Sequence, residues 1–151
     1  MSMNPPGQAG HRHDNMQSPV PVPVPGAMRT NAFDLEIIRN ALDTIAEEIT
    51  LTIIRTAYSQ IVRDSLDYST AVCDTQGRTL AQGVCTPMHL GSFYDAWRNL
   101  VNELDGDPHP DDVFIMNDPY AAAGQHLPDI YVVQPVYWHK QLAGWIMTLA
   151  H

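Results

Sequence analysis

Apolar side chains recur at helical spacing in the stretch that follows residue 30. They return every three or four positions, which is the period of one face of an α-helix. Asn31 is suited to cap the first turn, with Asp34 three residues further on in the manner of a capping box. The pattern predicts an amphipathic helix of about six turns that ends near Tyr58. Its expected buried stripe consists of Leu35, Ile38, Leu42, Ile45, Ile49 and Ile53.

Beyond this helix, short apolar runs alternate with turn residues. Residues 70–73 and 78–82 read as two strands joined by a turn at residues 74–77, which predicts a β-hairpin. A loop is expected from Gly83 to His89. Ser92 is then the expected cap of a second helix, and the Asp-Gly-Asp-Pro run at residues 105–108 ends it. The apolar positions of this helix are Phe93, Ala96, Trp97, Leu100, Val101 and Leu104.

Three further strands are predicted at residues 113–116, 130–138 and 142–150. The last two pair as a hairpin through a turn at residues 139–141. We expect Tyr131, Trp138 and Trp145 to lie in the core or at an interface. The order of elements predicts an α+β fold, with the long first helix and the second helix packed on a largely antiparallel or mixed sheet.

The N-terminal 30 residues have a different composition. Proline occupies every second position from Pro19 to Pro25, which blocks a helix and removes the donors that a sheet needs. We therefore predict a disordered, Pro-rich leader over residues 1–30 and a folded domain over residues 31–151. The apolar final strand runs into His151 without a turn or polar tail, so we expect that domain to be incomplete.

Composition narrows the possible partners. The 151 residues carry a net charge of −9, and no basic stripe is present, so neither nucleic acid nor an anionic membrane is an expected partner. The two cysteines, Cys73 and Cys85, belong to no CxxC motif or cysteine-rich framework. A reduced, cytoplasmic protein is the simpler interpretation.

The candidate chemistry concentrates in one loop and at the last residue. His126 and Asp129 stand between two predicted strands, and the hairpin that follows can return His151 to their side. Two histidines and one carboxylate with open positions form a recurring site for Zn, Mn or Fe(II). The alternative is structural: Asp129 caps a turn and His126 packs against it.

Three other residues have two interpretations each. Asp118 can act as an acid or base, or it can form an Asx turn before Pro119. Asp64 can supply a further carboxylate, or it can pair with Arg63. His89 precedes the expected start of the second helix, where an anion can bind. A structural histidine explains His89 equally well.

Several short motifs together resemble the hydantoinase B family, in the order and near the spacing of that family. The family includes the B subunit of ATP-dependent N-methylhydantoinases, the C-terminal half of eukaryotic 5-oxoprolinase and related subunits of acetone and acetophenone carboxylases. The resemblance covers residues 31–151. Its motifs are Ile38-Arg39-Asn40-Ala41-Leu42, Ala46-Glu47-Glu48, Arg55-Thr56-Ala57-Tyr58-Ser59, Asp67-Tyr68-Ser69, Ala81-Gln82-Gly83, His89-Leu90-Gly91-Ser92, Asn117-Asp118-Pro119-Tyr120, His126-Leu127-Pro128-Asp129 and Ala150-His151.

The resemblance implies a two-component reaction. A hydantoinase A-like ATPase subunit would use ATP to activate a cyclic amide, and the B component would complete ring opening, the two subunits forming a hetero-oligomer. By similarity, His126, Asp129 and His151 fall where ligands of a divalent metal, Zn or Mn, are expected. Asp118 and Asp64 are the catalytic candidates. The alternatives are a subunit of an ATP-dependent ketone carboxylase and a non-catalytic segment that binds the A subunit.

The chain departs from the family pattern at four places. Asp64 stands where many members carry Glu, and residues 121–125 read Ala-Ala-Ala-Gly-Gln where a Gly-Gly-Thr-like run is common. A second His and a nearby Asp, which follow Ala-His in many members, are missing, and the Pro-rich leader has no counterpart in the family. Members of the family are much longer, so the resemblance implies the N-terminal part of a truncated catalytic domain.

Overall fold

A computed structural model describes residues 30–83, 86–120 and 126–151 of the chain. The predicted Pro-rich leader falls almost wholly outside these residues and stays a prediction. In the described part, helices pack on an antiparallel five-stranded sheet, which confirms the α+β prediction. The elements are α1 (Ala32–Thr56), α2 (Gln60–Asp64), β1 (Tyr68–Cys73), β2 (Thr79–Gln82), α3 (Pro87–Glu103), β3 (Phe114–Met116), β4 (Ile130–Trp138) and β5 (Gln141–Ala150).

The strand β5 is the centre of the sheet, whose order is β2-β1-β5-β4-β3. Ala150 at its end pairs with Tyr68 on one side and with Ile130 on the other, so both neighbouring strands start beside it. The strands β4 and β5 form a hairpin with a two-residue loop. Both loop residues have positive φ, +46° at His139 and +65° at Lys140, as a type I′ turn requires.

The helix α3 covers one face of the sheet and builds the core there. Phe93 and Ala96 are fully buried, and the ring of Phe93 meets that of Tyr131 edge to face at 6.0 Å between centroids. Alternation along the strands sends every second side chain to this face. The core beneath α3 comprises Ala71, Cys73, Phe93, Ala96, Leu100, Tyr131, Val133, Trp145, Met147 and Leu149.

The helix α1 packs against β1 and β2 on the opposite face, through small and polar side chains. Ala46 and Thr50 are its buried residues, and the Thr50 hydroxyl lies 2.8 Å from that of Thr70. Gly83 allows this close approach, because a Cβ there would stand 2.0 Å from Thr50 Oγ1. The expected apolar stripe is therefore wrong as a buried face. Three of its members are exposed, namely Leu35, Ile38 and Ile45.

The helix boundaries differ from the predictions in three places. The second helix begins at Pro87, five residues before Ser92, so His89 lies inside the helix and not in a loop. Proline suits the first helical turn because its missing N–H would have no partner there. The short helix α2, capped by the Ser59 hydroxyl, was not predicted. The first helix ends at Thr56, two residues before the expected point.

The three aromatic residues expected in the core or at an interface differ in their exposure. Tyr131 and Trp145 are buried in the core. Trp138 is 71% exposed with its ring edge-on to that of His139, so it lies outside the core, and its expected place at an interface stays a prediction. Cys73 is a buried free thiol. Within the described ranges, none of the helices combines the length and the apolar character needed to cross a bilayer.

Candidate functional site

His126 and Asp129 are held together by a tight turn directly before β4. The N–H of Asp129 donates to the carbonyl of His126 at 3.0 Å, which closes the turn. His126 Nδ1 then lies 2.9 Å from Asp129 Oδ2. The imidazole is 52% exposed and the carboxylate only 1%, so the histidine faces solvent with the buried acid behind it.

His151 reaches the same place from the end of β5. The pairing of Ile130 with Ala150 sets the residues that flank these strands side by side. The imidazole of His151 lies 5.0 Å from that of His126 between ring centroids. The backbone N–H of His151 donates to the backbone carbonyl of Asp67 at 3.2 Å, which fixes the backbone after the strand. The expected return of His151 to the loop is thus present.

The Asp129 carboxylate is the chemically informative group of this site. Although the group is buried, neither oxygen accepts a well-oriented hydrogen bond from the described residues; its contact there is the ion pair of Oδ2 with His126 Nδ1 at 2.9 Å. Burying a carboxylate is unfavourable by several kcal/mol unless a positive charge lies beside it. Both interpretations are compatible with this contact: a metal ion bound by the two residues, and a structural turn in which His126 packs against Asp129.

The three side chains fit a metal as a set of donors. Two imidazoles and a carboxylate are donor types that suit Zn or Mn, and the 2.9 Å between His126 Nδ1 and Asp129 Oδ2 is the distance of an ion pair. Across the described parts of the chain, however, no three His, Cys, Asp or Glu side chains already form a cluster that could hold a metal ion. The role of the three as ligands therefore stays a prediction.

Asp118 forms the Asx turn that the sequence allowed. Its Oδ1 accepts the N–H of Tyr120 at 2.8 Å, and the side chain is exposed. The neighbouring Asn117 donates from Nδ2 to the carbonyl of Leu127 at 3.2 Å. This hydrogen bond ties the end of β3 to the turn that carries His126, so Asp118 belongs to the same end of the sheet.

Asp64 stands apart. It is the last residue of α2, its side chain is 64% exposed, and its contact is an ion pair with Arg63 at 3.4 Å. No contact among the described residues joins it to His126, Asp129 or His151. The structure therefore does not bring this second catalytic candidate into the site.

A buried polar network behind the site was not predicted. His89 is 3% exposed; its Nδ1 lies 3.1 Å from the Ser69 hydroxyl and its Nε2 lies 3.4 Å from Asp67 Oδ1. The structural interpretation of His89 is the one that these contacts support. The backbone carbonyl of Asp67 also accepts the backbone N–H of His151. The network therefore connects α3 with the backbone of a candidate ligand.

The first turns of α3 also contact the start of β4. Ser92 donates to the carbonyl of His89 at 2.6 Å and shares a hydrogen bond with the Tyr131 hydroxyl. Burial raises the pKa of Tyr131, the bond to Ser92 offsets part of this, and the Asp129 charge raises it further. Spacing could not have shown this pair, because Ser92 and Tyr131 lie 39 residues apart.

Comparisons with known proteins agree on one family. Its model, described as hydantoinase B/oxoprolinase, matches residues 31–151. An uncharacterized protein of Methanocaldococcus jannaschii is 37% identical over 120 residues, which are 78% of this chain and 21% of that protein. A 5-oxoprolinase of Pestalotiopsis fici is 30% identical over 137 residues, which are 91% of this chain and 11% of that protein.

A solved structure shares the fold. The crystal structure of an ATP-dependent caprolactamase from Pseudomonas jessenii superposes with a TM-score of 0.71 at 28% identity. The match covers 82% of this chain and 21% of the other. The chain thus spans about a fifth or less of the length of these three proteins.

Proposed function

The chain belongs to the hydantoinase B/oxoprolinase family, and from this membership we propose that it forms part of the B component of an ATP-dependent cyclic amide hydrolase. The names of two similar proteins, 5-oxoprolinase and caprolactamase, both refer to a ring that contains an amide. A partner ATPase would activate the ring amide with ATP, and the polypeptide that carries this chain would complete ring opening. Its place would be the cytoplasm, where ATP is supplied.

The observation that carries the proposal is the buried carboxylate of Asp129 beside His126, whose ring lies 5.0 Å from that of His151 between centroids, at one end of the sheet. We propose that His126, Asp129 and His151 hold a divalent ion, Zn or Mn. When bound, such an ion polarises a carbonyl oxygen and lowers the pKa of water. The exposed imidazole of His126 leaves the site open to a small molecule from solvent.

Asp118 and Asp64 are not equally well placed to transfer a proton in the reaction. Asp118 is exposed, and the neighbouring Asn117 hydrogen-bonds to the turn that carries His126. A general acid or base has to come within hydrogen-bond reach of the reacting group. Asp64, on the surface beside Arg63, lacks such a connection. We therefore propose Asp118 for proton transfer before Asp64.

The test is metal content together with activity, measured on the complete native enzyme with its ATPase subunit. Wild type is expected to hold about one Zn or Mn per copy of this chain and to open a cyclic amide with ATP. His126→Ala should lower metal affinity at least about tenfold, because two ligands hold a catalytic ion poorly. Leu127→Ala is the matched control, since Leu127 is an exposed neighbour in the same turn.

Two results would contradict the proposal. Equal metal content in wild type and His126→Ala would remove these residues as ligands. Consumption of a ketone that depends on bicarbonate, with no ring opening, would place the enzyme with the ketone carboxylases instead. Binding of the ATPase subunit with no metal and no turnover would instead favour the non-catalytic alternative.

A further inference from the structure

The segment between α2 and β1 contains a residue in a conformation that few side chains adopt. Leu66 has a φ of +55°, in the left-handed region that residues other than glycine rarely enter. Its carbonyl accepts the backbone N–H of Tyr68 at 2.9 Å and the hydroxyl of Thr86 at 3.4 Å. Such strain persists where the surrounding structure enforces it, and it is concentrated at functional sites. The residue that directly follows this strained turn is Asp67.

The ladder of β1 and β5 places Asp67 directly opposite His151. Tyr68 pairs with Ala150, so the next pair of this antiparallel ladder is Asp67 with His151. The backbone hydrogen bond of 3.2 Å between the two residues agrees with that register. Residues of such a pair project to the same face of the sheet, with Cβ atoms about 4.5–5.5 Å apart. The carboxylate of Asp67 is therefore a neighbour of the imidazole of His151.

A buried histidine on α3 holds this carboxylate from the other side. His89 Nε2 lies 3.4 Å from Asp67 Oδ1, and His89 Nδ1 lies 3.1 Å from the Ser69 hydroxyl. The side chain of His89 is 3% exposed and that of Asp67 is 32% exposed. The histidine ring is thus fixed at both nitrogens. A carboxylate has lone pairs for more than one donor, so Asp67 can contact a second group while it stays beside His89.

We infer that Asp67 is the positioning residue of His151, and that His89 holds Asp67 in place for this role. The inference rests on the proposed metal site and adds a residue to it. A histidine that binds a metal through one ring nitrogen usually donates the N–H of the other nitrogen to a carboxylate or a carbonyl, which fixes the orientation and the tautomer of the ring. Asp67 supplies such a carboxylate to His151 from the β1 side.

The first test measures the affinity for Zn and for Mn in the complete native enzyme with its ATPase subunit. Asp67→Ala should weaken metal binding about 10–100-fold, which is the usual effect of losing a partner that orients a ligand. Asp67→Asn keeps an oxygen that can accept the imidazole N–H, so its affinity should stay within about fivefold of wild type. Asp95→Ala is the matched control, because it removes an exposed carboxylate of α3 that pairs with Arg98.

The second test follows hydrogen exchange at the backbone amide of His151, after a chelator has removed the metal. Asp67→Ala and His89→Asn should speed this exchange at least about fivefold, because both free the start of β1 to open locally. The amide of the asparagine reaches Ser69 but not Asp67. His89→Gln extends an amide N–H toward Asp67, as Nε2 does, so its exchange rate should stay within about twofold of wild type.

A further variant, Thr50→Val, separates positioning from a general loss of stability. It removes the buried contact between the hydroxyls of Thr50 and Thr70 on the opposite face of the sheet. Its melting temperature should fall, whereas its metal affinity and its exchange rate at His151 should stay within about twofold of wild type.

The outcomes distinguish this inference from the proposed function. Equal metal affinity in wild type and Asp67→Ala, or an equal loss of affinity in Asp67→Ala and Thr50→Val, would overturn the role of Asp67, while metal binding itself still supported the proposed function. Equal exchange rates in His89→Asn and His89→Gln would remove His89 from that role. If wild type binds neither Zn nor Mn, the proposed metal site fails, and the inference about Asp67 fails with it.

Discussion

At the residue scale, two buried ionisable groups are informative, the carboxylate of Asp129 and the thiol of Cys73. The carboxylate of Asp129 is buried, and among the described residues its contact is the ion pair with His126 Nδ1 at 2.9 Å, so a positive charge beside it is favourable. The thiol of Cys73 lies under α3 in an apolar core. Burial raises its pKa to about 11, a bond to Thr79 lowers it slightly, and the charge of Asp74 raises it.

Cys73 should be unreactive in the folded protein. In a Cys85→Ser variant at pH 8, a thiol reagent should label Cys73 only at the rate at which the protein unfolds, because the thiolate is the reactive form. Labelling in denaturant gives the reference rate. Fast labelling of the native protein would contradict the burial of this thiol.

The same thiol predicts a loss of stability at high pH. Its pKa in the folded state, about 11, is above the ordinary 9.0. Its contribution is therefore complete below pH 9 and is lost as pH rises toward 11, since the unfolded thiol ionises first. The loss is at most about 2–3 kcal/mol. Cys73→Ala should flatten this part of the stability profile against pH.

The sequence predicted the role of a residue well where its partner lies only a few positions away. The Asn31 side chain accepts the N–H of Asp34 as expected of an N-cap. Trp138 shows the limit, since hydrophobicity favours burial but β4 alternates and sends this side chain to the surface. The network of His89, Ser69 and Asp67 depends on contacts across about 20 residues, which spacing does not reveal.

At the element scale, small residues decide how closely helices and strands approach. Gly144 lies where β5 passes β1, and a Cβ there would stand 2.3 Å from the carbonyl oxygen of Cys73. Gly91 lies on the exposed side of α3, and a Cβ there meets no atom within 4 Å. The two glycines have opposite expected effects on stability for this reason.

Alanine substitutions at Gly144 and Gly91 should change the free energy of unfolding in opposite directions. Gly144→Ala should lower the free energy of unfolding by about 1–3 kcal/mol, because backbone atoms of two strands must move apart. Gly91→Ala should raise it by about 0.5–1 kcal/mol through helix propensity alone. Thermal or denaturant unfolding measures both. An unchanged free energy of unfolding in Gly144→Ala would show that β5 and β1 can move apart with little loss of stability.

The strands and the two longer helices were predictable, but the short helix α2, the start of α3 and the buried face of α1 were not. The periods of apolar residues located α1, α3 and the strands of the sheet. The start of α3 was misplaced because Ser92 is a good cap in sequence, whereas the helix begins at Pro87. The buried face of α1 was misjudged because β1 and β2 accept Ala46 and Thr50, whose small side chains permit close packing.

At the scale of the whole molecule, the two faces of the sheet differ. The face under α3 is closed by a continuous core. On the other face, α1 contacts mainly β1 and β2, and apolar side chains of its first half are exposed, including Leu35 at 62%. Apolar area of this kind is usual where another polypeptide segment or subunit binds.

The 151-residue chain by itself should therefore self-associate. Its mass by light scattering after gel filtration should rise with concentration, because exposed apolar side chains on α1 associate in water. Leu35→Lys with Ile38→Lys should shift the chain toward monomer. Val101→Lys, on the exposed side of α3, is the control and should have little effect. A monomer at all concentrations would contradict self-association through the exposed apolar side chains of α1.

The fold class could be predicted from the chain, whereas the sheet order could not. Alternating strands and short turns predicted antiparallel hairpins, and β1–β2 and β4–β5 are both present. The pairing of β1 with β5 joins Tyr68 to Ala150, and no local pattern indicates it. This pairing places Asp67 beside His151, whereas the approach of His151 to His126 follows from the predicted β4–β5 hairpin.

The central position of β5 has a consequence during synthesis on the ribosome. The hairpin β1–β2 emerges first, but its partner strand lies about 80 residues later in the chain. At the usual rate of about 5–20 residues per second, the edge of β1 waits roughly 4–16 s for β5. For that interval, the edge is an unpaired template, and its hydrogen-bonding groups are open to chaperones or to a neighbouring nascent chain.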